Sequence, residues 1–254
     1  MKKILLSFAL IVGLLTSATT MAQVNMSRYI TLTVKNGAKI KLRLNAATDG
    51  TPVKIKSGSN EQIVTVNKAQ GTFNYTATDT IMTVYGDVTI FHCNYNKANI
   101  TALDPSHNTG LLELNCSSDS IRSLDVTKNT SLTLLDCYST RLSTLDVTKN
   151  TLLKRLDCYG NNLTVLDVSK CTQLTRLFCA SDRLITLDVS SNKLLKELYC
   201  HGNRLTTLDI TKNTLLTKLN CFGNKLTTLD VTKCTKLINF DCSSNQLSSL
   251  DVSN

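Results

Sequence analysis

Residues 132–152 read LTLLDCYSTRLSTLDVTKNTL, and this 21-residue unit recurs along the second half of the chain. Aspartates such as Asp146 recur at intervals of 21 residues. Seven cysteines recur at the same interval: Cys116, Cys137, Cys158, Cys179, Cys200, Cys221 and Cys242. The register holds over six complete units, 111–236, and part of a seventh. One unit cannot bury its own apolar side, so the repeat predicts coils that stack on their neighbours as a solenoid.

Each unit also repeats within itself. Its first half places Leu132, Leu135 and Cys137 at the offsets of the pattern L-x-x-L-x-L-x-x-N/C-x-L, and its second half repeats those offsets with Leu142, Leu145 and Val147. An asparagine-type position follows each half, where a side chain can satisfy backbone groups left unpaired at a bend. Both halves are therefore predicted to turn their apolar residues inward.

This nested unit resembles the 21-residue class of bacterial leucine-rich repeats called IRREKO and, more broadly, the internalin-like surface proteins. The resemblance covers residues 111–254. It implies a mostly β fold, a parallel solenoid in which one half-unit forms a concave strand and the other a short extended segment behind it. The departures are Thr140 and Asp182, which stand where other units have asparagine, and Phe240, which replaces a core leucine.

The composition argues against an enzyme. The chain has 254 residues, 28 basic against 19 acidic for a net charge of +9, and three isolated histidines, His92, His107 and His201. It contains no catalytic or nucleotide-binding motif and no Cys/His spacing typical of zinc, so neither a cofactor nor a metal is predicted. Residues 23–110 carry nine basic and five acidic side chains, and residues 111–254 carry seventeen basic and fourteen acidic side chains. The excess of basic residues in each part is too small to predict nucleic-acid binding.

The first 22 residues are predicted to be a secretory signal peptide. Lys2 and Lys3 precede the apolar stretch 4–15, and Ala22 stands at the expected cleavage point. No later stretch is apolar enough to predict a membrane-spanning helix. The sequence therefore predicts an exported protein that is secreted, held at the cell surface or periplasmic.

Residues 23–89 are predicted to form an N-terminal antiparallel β cap domain, since terminal repeats need a cover. Ile30–Val34 and Ile40–Leu44 alternate apolar and polar residues around Asn36-Gly37, which predicts a β-hairpin with a type I′ turn. Further alternating runs follow at 53–56, 63–66, 73–75 and 81–85. Residues 90–110 are predicted to be a degenerate first repeat with a two-residue insertion.

The ten cysteines are predicted to serve mainly as buried free thiols. Eight lie in or near an interior position where cysteine packs as a small hydrophobe. Disulfides between neighbouring coils remain an alternative, because in-register positions lie close enough although parallel side chains seldom meet the required torsion. Cys171 and Cys234 occupy the asparagine position instead, and we expect these two to react most readily in the native protein.

The recurring aspartates and lysines are interpreted as structural, because aspartate commonly caps the backbone at turns.

The outward positions of the first half-unit look different. Aromatic residues project from five consecutive coils with charged residues beside them, the composition of binding hot spots: Tyr138, Tyr159, Phe178, Tyr199, His201, Phe222, Arg155, Arg176, Glu197 and Lys218. An alternative is that the rings only stabilise the sheet by stacking along it.

The function predicted from these observations is an exported binding module that presents its concave face to a protein or glycan. The internalin-like resemblance implies adhesion to host cells or other bacteria. A structural spacer without a specific ligand is the alternative. The last coil, with Leu237, Phe240, Leu247 and Leu250, is expected to lie uncovered, which suggests either end-to-end self-association or a longer parent chain.

Overall fold

The computed structural model describes residues 23–94, 96–118 and 120–251, and these residues are almost entirely β-strand and turn. The predicted signal peptide and its cleavage point after Ala22 lie outside the described residues. A single 3₁₀ turn at Lys97–Asn99 is the only helical element described, and no helix in these ranges is long and apolar enough to cross a membrane.

The strands form two sheets. In the N-terminal part, six strands precede the solenoid: β1 Tyr29–Val34, β2 Lys39–Ala46, β3 Thr51–Ser57, β4 Asn60–Val66, β5 Gly71–Thr76 and β6 Ile81–Tyr85. The remaining strands are β7 Val88–His92, β8 Ile100–Asp104, β9 Glu113–Asn115, β10 Leu134–Asp136, β11 Arg155–Asp157, β12 Arg176–Phe178, β13 Glu197–Tyr199, β14 Lys218–Asn220 and β15 Asn239–Asp241. One sheet has the order β4-β3-β6-β1-β8, and the other runs β15-β14-β13-β12-β11-β10-β9-β7-β2-β5.

The solenoid predicted from the 21-residue period is confirmed. Strands β9 to β15 pair in parallel, and each residue faces the one 21 positions later, as Leu135 faces Leu156. Strand β7 also pairs in parallel with β9, and this pairing joins Phe91 to Leu114, an offset of 23 residues. A degenerate repeat at 90–110 with a two-residue insertion stays a prediction. The central residue of each strand from β9 to β14 is buried, because both neighbouring coils and the second half-unit cover it.

The predicted hairpin is wrong, although both of its strands exist. Strand β1 lies between β6 and β8, whereas β2 lies between β5 and β7 in the other sheet. Gly37 has a φ of 78°, but Asn36 lacks the positive φ that a type I′ turn requires. Both strands bury alternate residues in one shared core, so the link crosses from one sheet to the other. Alternation alone does not distinguish this crossing from a hairpin.

Two rows of side-chain amides hold the coils together. In the first row, Nδ2 of Asn150 donates to the carbonyl oxygens of Val126 and Asn129 in the preceding coil, at 2.9 Å each. In the second row, Nδ2 of Asn161 donates to the carbonyl oxygens of Cys137 and Cys158, at 3.0 and 2.7 Å. A buried carbonyl without a donor costs about 1–3 kcal/mol, so these amides allow the chain to bend inside the stack. Similar bonds recur at Asn129, Asn192 and Asn213 in the first row and at Asn203, Asn224 and Asn245 in the second.

The recurring aspartates cap turns, as expected. The Oδ1 atom of Asp146 accepts hydrogen bonds from both the backbone N–H and the hydroxyl of Thr148, at 2.8 and 2.7 Å. These bonds lower the pKa of Asp146. The same pair of bonds recurs at Asp125, Asp209 and Asp230.

No disulfide joins any of the ten described cysteines, and nine of them are buried, with Cys242 half-buried. The expectation that Cys171 and Cys234 are accessible is wrong, because both are at most 1% exposed. Their position belongs to the first amide row, which lies inside the stack. Sγ of Cys171 lies 3.4 Å from the Val147 carbonyl oxygen and acts as a weak donor in place of an amide.

Thiol titration tests this arrangement. Unfolded protein without reductant should react with close to ten equivalents of a thiol reagent, because every cysteine is free. Native protein should react slowly everywhere except at Cys242, since burial raises the pKa of Cys137, Cys158, Cys179 and Cys200 well above its usual value and the thiolate is the reactive form. A count well below ten after unfolding would show disulfides instead.

A second prediction concerns Asp182 in the second amide row. Its Oδ1 accepts hydrogen bonds from the N–H groups of Asn161 and Leu163, but Oδ2 is buried without a described partner. Burial raises the pKa of this carboxyl to about 7. The folded protein therefore keeps a proton that the unfolded chain loses, so stability should fall as pH rises from about 4 to 7 and then level off.

Asp182→Asn should remove this dependence, because an amide carries its donor at every pH. We expect the variant to be more stable than wild type by about 2–4 kcal/mol near pH 8 and to differ little near pH 4. Urea unfolding across this range measures both proteins. A stability difference that does not change with pH would contradict the assignment.

Candidate functional site

The outward side chains of the parallel sheet form the face on which the sequence placed a binding site. We call this surface the strand face and divide it into three rows. The first row holds the first residue of each strand from β9 to β15, the second row holds the last, and the third row holds the residue after each repeat cysteine. Because adjacent strands lie about 4.8 Å apart, neighbours within a row are held at contact distance.

Five of the predicted residues, four aromatic residues and His201, form one continuous stack. The rings of Tyr138 and Tyr159 lie nearly parallel with centroids 4.6 Å apart, and Phe178 continues the stack at 4.3 Å from Tyr159. Tyr199 and His201 both lie against the far side of Phe178, at 5.0 and 5.7 Å and tilted. All five are half-buried, so they project from the sheet and cover one another.

The stack changes rows in its middle. Tyr138, Tyr159 and His201 belong to the third row, whereas Phe178 belongs to the second. The third-row residue between Tyr159 and His201 is Ala180, which is fully buried. A small side chain at this position leaves room for the Phe178 ring to bridge the two rows.

Charged residues of the first two rows form a chain across four strands. Arg155 pairs with Asp157, and Nε of Arg176 lies 3.3 Å from the other oxygen of Asp157. Arg176 also reaches Glu197 at 3.1 Å, and Nζ of Lys218 lies 2.9 Å from the same carboxylate. Each partly exposed pair contributes little alone, but the shared carboxylates fix the positions of all three cations.

The charged chain also contacts the aromatic stack. The Arg176 guanidinium carbon lies 5.8 Å from the centre of the Phe178 ring and 5.5 Å from that of Tyr199. Both distances are within the range of cation–π attraction. The two groups of predicted residues therefore form one surface.

Two buried aspartates lie beneath this surface, and the predicted site does not include them. Asp136 is 6% exposed and Asp157 is 2% exposed. Burial, followed by the nearby charge of Asp157, raises the pKa of Asp136 to about 6. Nδ2 of Asn115 donates to its Oδ2 at 3.0 Å, and its Oδ1 is buried without a partner among the described residues. The position of Asp136 and Asp157 in the second row could have indicated that they belong to the site. Their burial beside arginines is visible only in the structure.

One predicted residue, Phe222, stands apart from this arrangement. Phe222 is 42% exposed and makes no ring contact with a described residue. His201 touches Phe178, and burial lowers its pKa, so it is uncharged at neutral pH. The described residues contain no group of three or more potential metal ligands. The chemistry on offer is recognition by ring edges, hydroxyls and fixed charges.

Comparison with known proteins finds similar solved structures. No protein-family model and no curated protein matches the chain. Among solved structures, the functional domain of InlJ from Listeria monocytogenes, described as including a cysteine ladder, is 37% identical with a TM-score of 0.52. The match covers 70% of this chain and 49% of that domain. The chain therefore spans about half the length of this relative.

Two further structures share the fold. The leucine-rich-repeat protein LIC12759 of Leptospira interrogans is 26% identical with a TM-score of 0.53, over 57% of this chain and 40% of that one. Internalin F of Listeria monocytogenes is 23% identical with a TM-score of 0.56, over 60% and 47%. Repeat length, parallel strands, buried cysteine row and these neighbours agree, and the chain is an internalin-like leucine-rich-repeat protein.

Proposed function

We propose that the protein is an exported binding module that recognises a polypeptide through its strand face. The observation that carries the proposal is the joined aromatic and charged surface from Tyr138 to Lys218. Rings with few rotatable bonds, held in place by stacking and by Arg176, lose little conformational freedom when a ligand binds. The pre-organised surface is the arrangement expected of a recognition site.

The ring geometry favours a polypeptide over a glycan. A sugar ring packs flat against an open aromatic face. In the stack, the faces of Tyr159 and Phe178 are covered by neighbouring rings on both sides. For these two rings, what remains are the ring edges and the end of the Tyr159 side chain, which suit the carbonyl groups and apolar side chains of a polypeptide.

The biological setting is also a proposal. An internalin-like protein with a predicted signal peptide fits adhesion to a host cell or to another bacterium, from a secreted, surface-held or periplasmic position. The alternative is a structural spacer whose strand face binds nothing specific. In that alternative, the aromatic stack serves only to stabilise the sheet.

Replacing Tyr138, Tyr159 and Tyr199 with serine tests the binding role. The probes are a displayed library of random peptides and a glycan array, applied to the mature protein. Peptides selected on wild type should lose at least about tenfold in affinity for the variant, because ring edges are the proposed contacts. Removing the rings should cost the fold about 0.5–1.5 kcal/mol per lost ring pair, in addition to the apolar area that each half-buried ring had buried, and thermal unfolding measures this cost.

Thr207→Ala with Thr228→Ala provides the control, since both residues are exposed on the other half-unit. Peptide affinity should change less than about twofold. Peptides that bind the tyrosine variant and wild type equally well would refute the binding role. Binders found only on the glycan array would refute the choice of a polypeptide.

We also propose end-to-end self-association through β15. Its outer edge has no partner strand among the described residues, and Leu237, Phe240, Leu247 and Leu250 are only partly buried against the core. Ile238, beside this edge, is 81% exposed. Open strand edges and exposed apolar ends promote pairing.

Light scattering over a concentration series should show association that increases with concentration. Ile238→Lys should weaken it, because a charge at the edge opposes strand pairing. A monomer at every concentration would contradict the proposal.

A further inference from the structure

The parallel sheet of the solenoid does not stop at the first complete repeat. Strand β9 pairs with β7, β7 pairs with β2, and β2 pairs with β5, all within the same ten-stranded sheet. In register, the second row of the strand face continues from Asn115 to His92 and from His92 to Arg43. The strand face therefore extends onto a strand of the N-terminal cap.

The second amide row fixes this junction. Asn96 lies three residues after Cys93, as Asn161 does after Cys158. Its Nδ2 donates to the Cys93 and Lys41 carbonyl oxygens at 2.6 and 2.9 Å, and its Oδ1 accepts the Lys41 N–H at 2.9 Å. The device that joins the coils thus also attaches β2 to the solenoid.

Strand β2 presents a basic row on this shared surface. Ile40, Leu42 and Leu44 are fully buried, so the alternate residues Lys39, Lys41 and Arg43 point outward. Continuing the register by two residues from the Arg43–His92 pair sets Lys41 level with Asn94. Asn94 follows Cys93 and so corresponds to the third row, which carries Tyr138 and Tyr159. The outward neighbours on β5, namely Thr72, Asn74 and Thr76, are uncharged.

These cations differ from the three on the strand face of the solenoid because no described acidic side chain pairs with them. Arg155, Arg176 and Lys218 each contact a carboxylate, whereas Lys39, Lys41 and Arg43 are absent from every ion pair within 4.0 Å among the described residues. The nearest acid in register on the sheet, Glu113, lies 3.8 Å from His92. Burial and then the Arg43 charge lower the pKa of His92, so Arg43 adds positive potential beside an uncharged imidazole.

We propose that β2 is part of the binding surface and that the polypeptide ligand carries an acidic segment that contacts Lys39, Lys41 and Arg43. This proposal rests on the proposed function and adds the charge and span of the ligand. Three strand spacings separate β2 from β10, about 14 Å, which an extended peptide crosses in about four or five residues. The acidic residues of the ligand are therefore expected about four or five positions away from the apolar residues that contact the rings.

The test uses the displayed peptide library with the mature protein and four variants. The cap variant carries Lys39→Ser, Lys41→Ser and Arg43→Ser. The matched control carries Lys128→Ser, Lys149→Ser and Lys170→Ser, which removes the same charge from exposed turn positions of the repeats. The third is the tyrosine variant. The fourth variant carries only Lys39→Ser and Lys41→Ser. It keeps the half-buried Arg43, so a loss of binding in this variant does not come from removing a packed side chain.

Peptides selected on wild type should combine an Asp/Glu cluster with an apolar residue about four or five positions away. Their affinity should fall about tenfold or more for the cap variant and less than about twofold for the control. Added salt should weaken binding to wild type more than to the cap variant, because exposed charges are screened.

The outcomes separate the two proposals. Peptides that need the tyrosines but bind the cap variant normally would overturn the cap role and leave the strand face intact. Peptides indifferent to the tyrosines, or a library without binders, would overturn both. If a labelled oligonucleotide binds through β2 while acidic peptides do not, the ligand class is wrong.

Discussion

The whole stack depends on side-chain amides that satisfy buried backbone carbonyls. Each 21-residue coil bends twice, and each bend leaves carbonyl groups inside the structure where water cannot reach them. Leucine burial supplies the driving force for stacking, but it would be offset if those carbonyls had no donors. Asparagine supplies two donors from one short side chain, so a single residue joins carbonyl groups of neighbouring coils, as Asn161 does for Cys137 and Cys158.

The positions where the repeat departs from asparagine reveal what each row requires. In the first row the amide oxygens of Asn150 and Asn192 are buried without described partners, so only the donor matters, and a cysteine thiol replaces it at Cys171 and Cys234. In the second row the amide oxygen also accepts backbone N–H groups. Asp182 keeps that acceptor and can supply a donor only when protonated, and burial raises its pKa to about 7.

The sequence was sufficient to predict the repeating framework of the solenoid. Period, buried leucines and cysteines, aspartate caps and the outward rows follow from the offsets within one unit. It was not sufficient where a contact depends on non-repeating partners. Alternation in β1 and β2 predicts strands but does not specify which sheet each joins, and the burial of Cys171 depends on how the next coil covers it. Nothing periodic connects Arg43 to His92, so the extension of the strand face onto the cap required the sheet pairing itself.

The paired and unpaired charges of the strand face have different uses. Arg155, Arg176 and Lys218 are already neutralised by Asp157 and Glu197, so a ligand carboxylate gains little there and would have to displace an existing partner. These pairs position the rings and restrict which ligands fit. Charges without partners attract an acidic ligand over about 8–10 Å at moderate salt. On the proposal above, β2 would accelerate encounter and orient the ligand, and the ring stack would supply the contact area that slows dissociation.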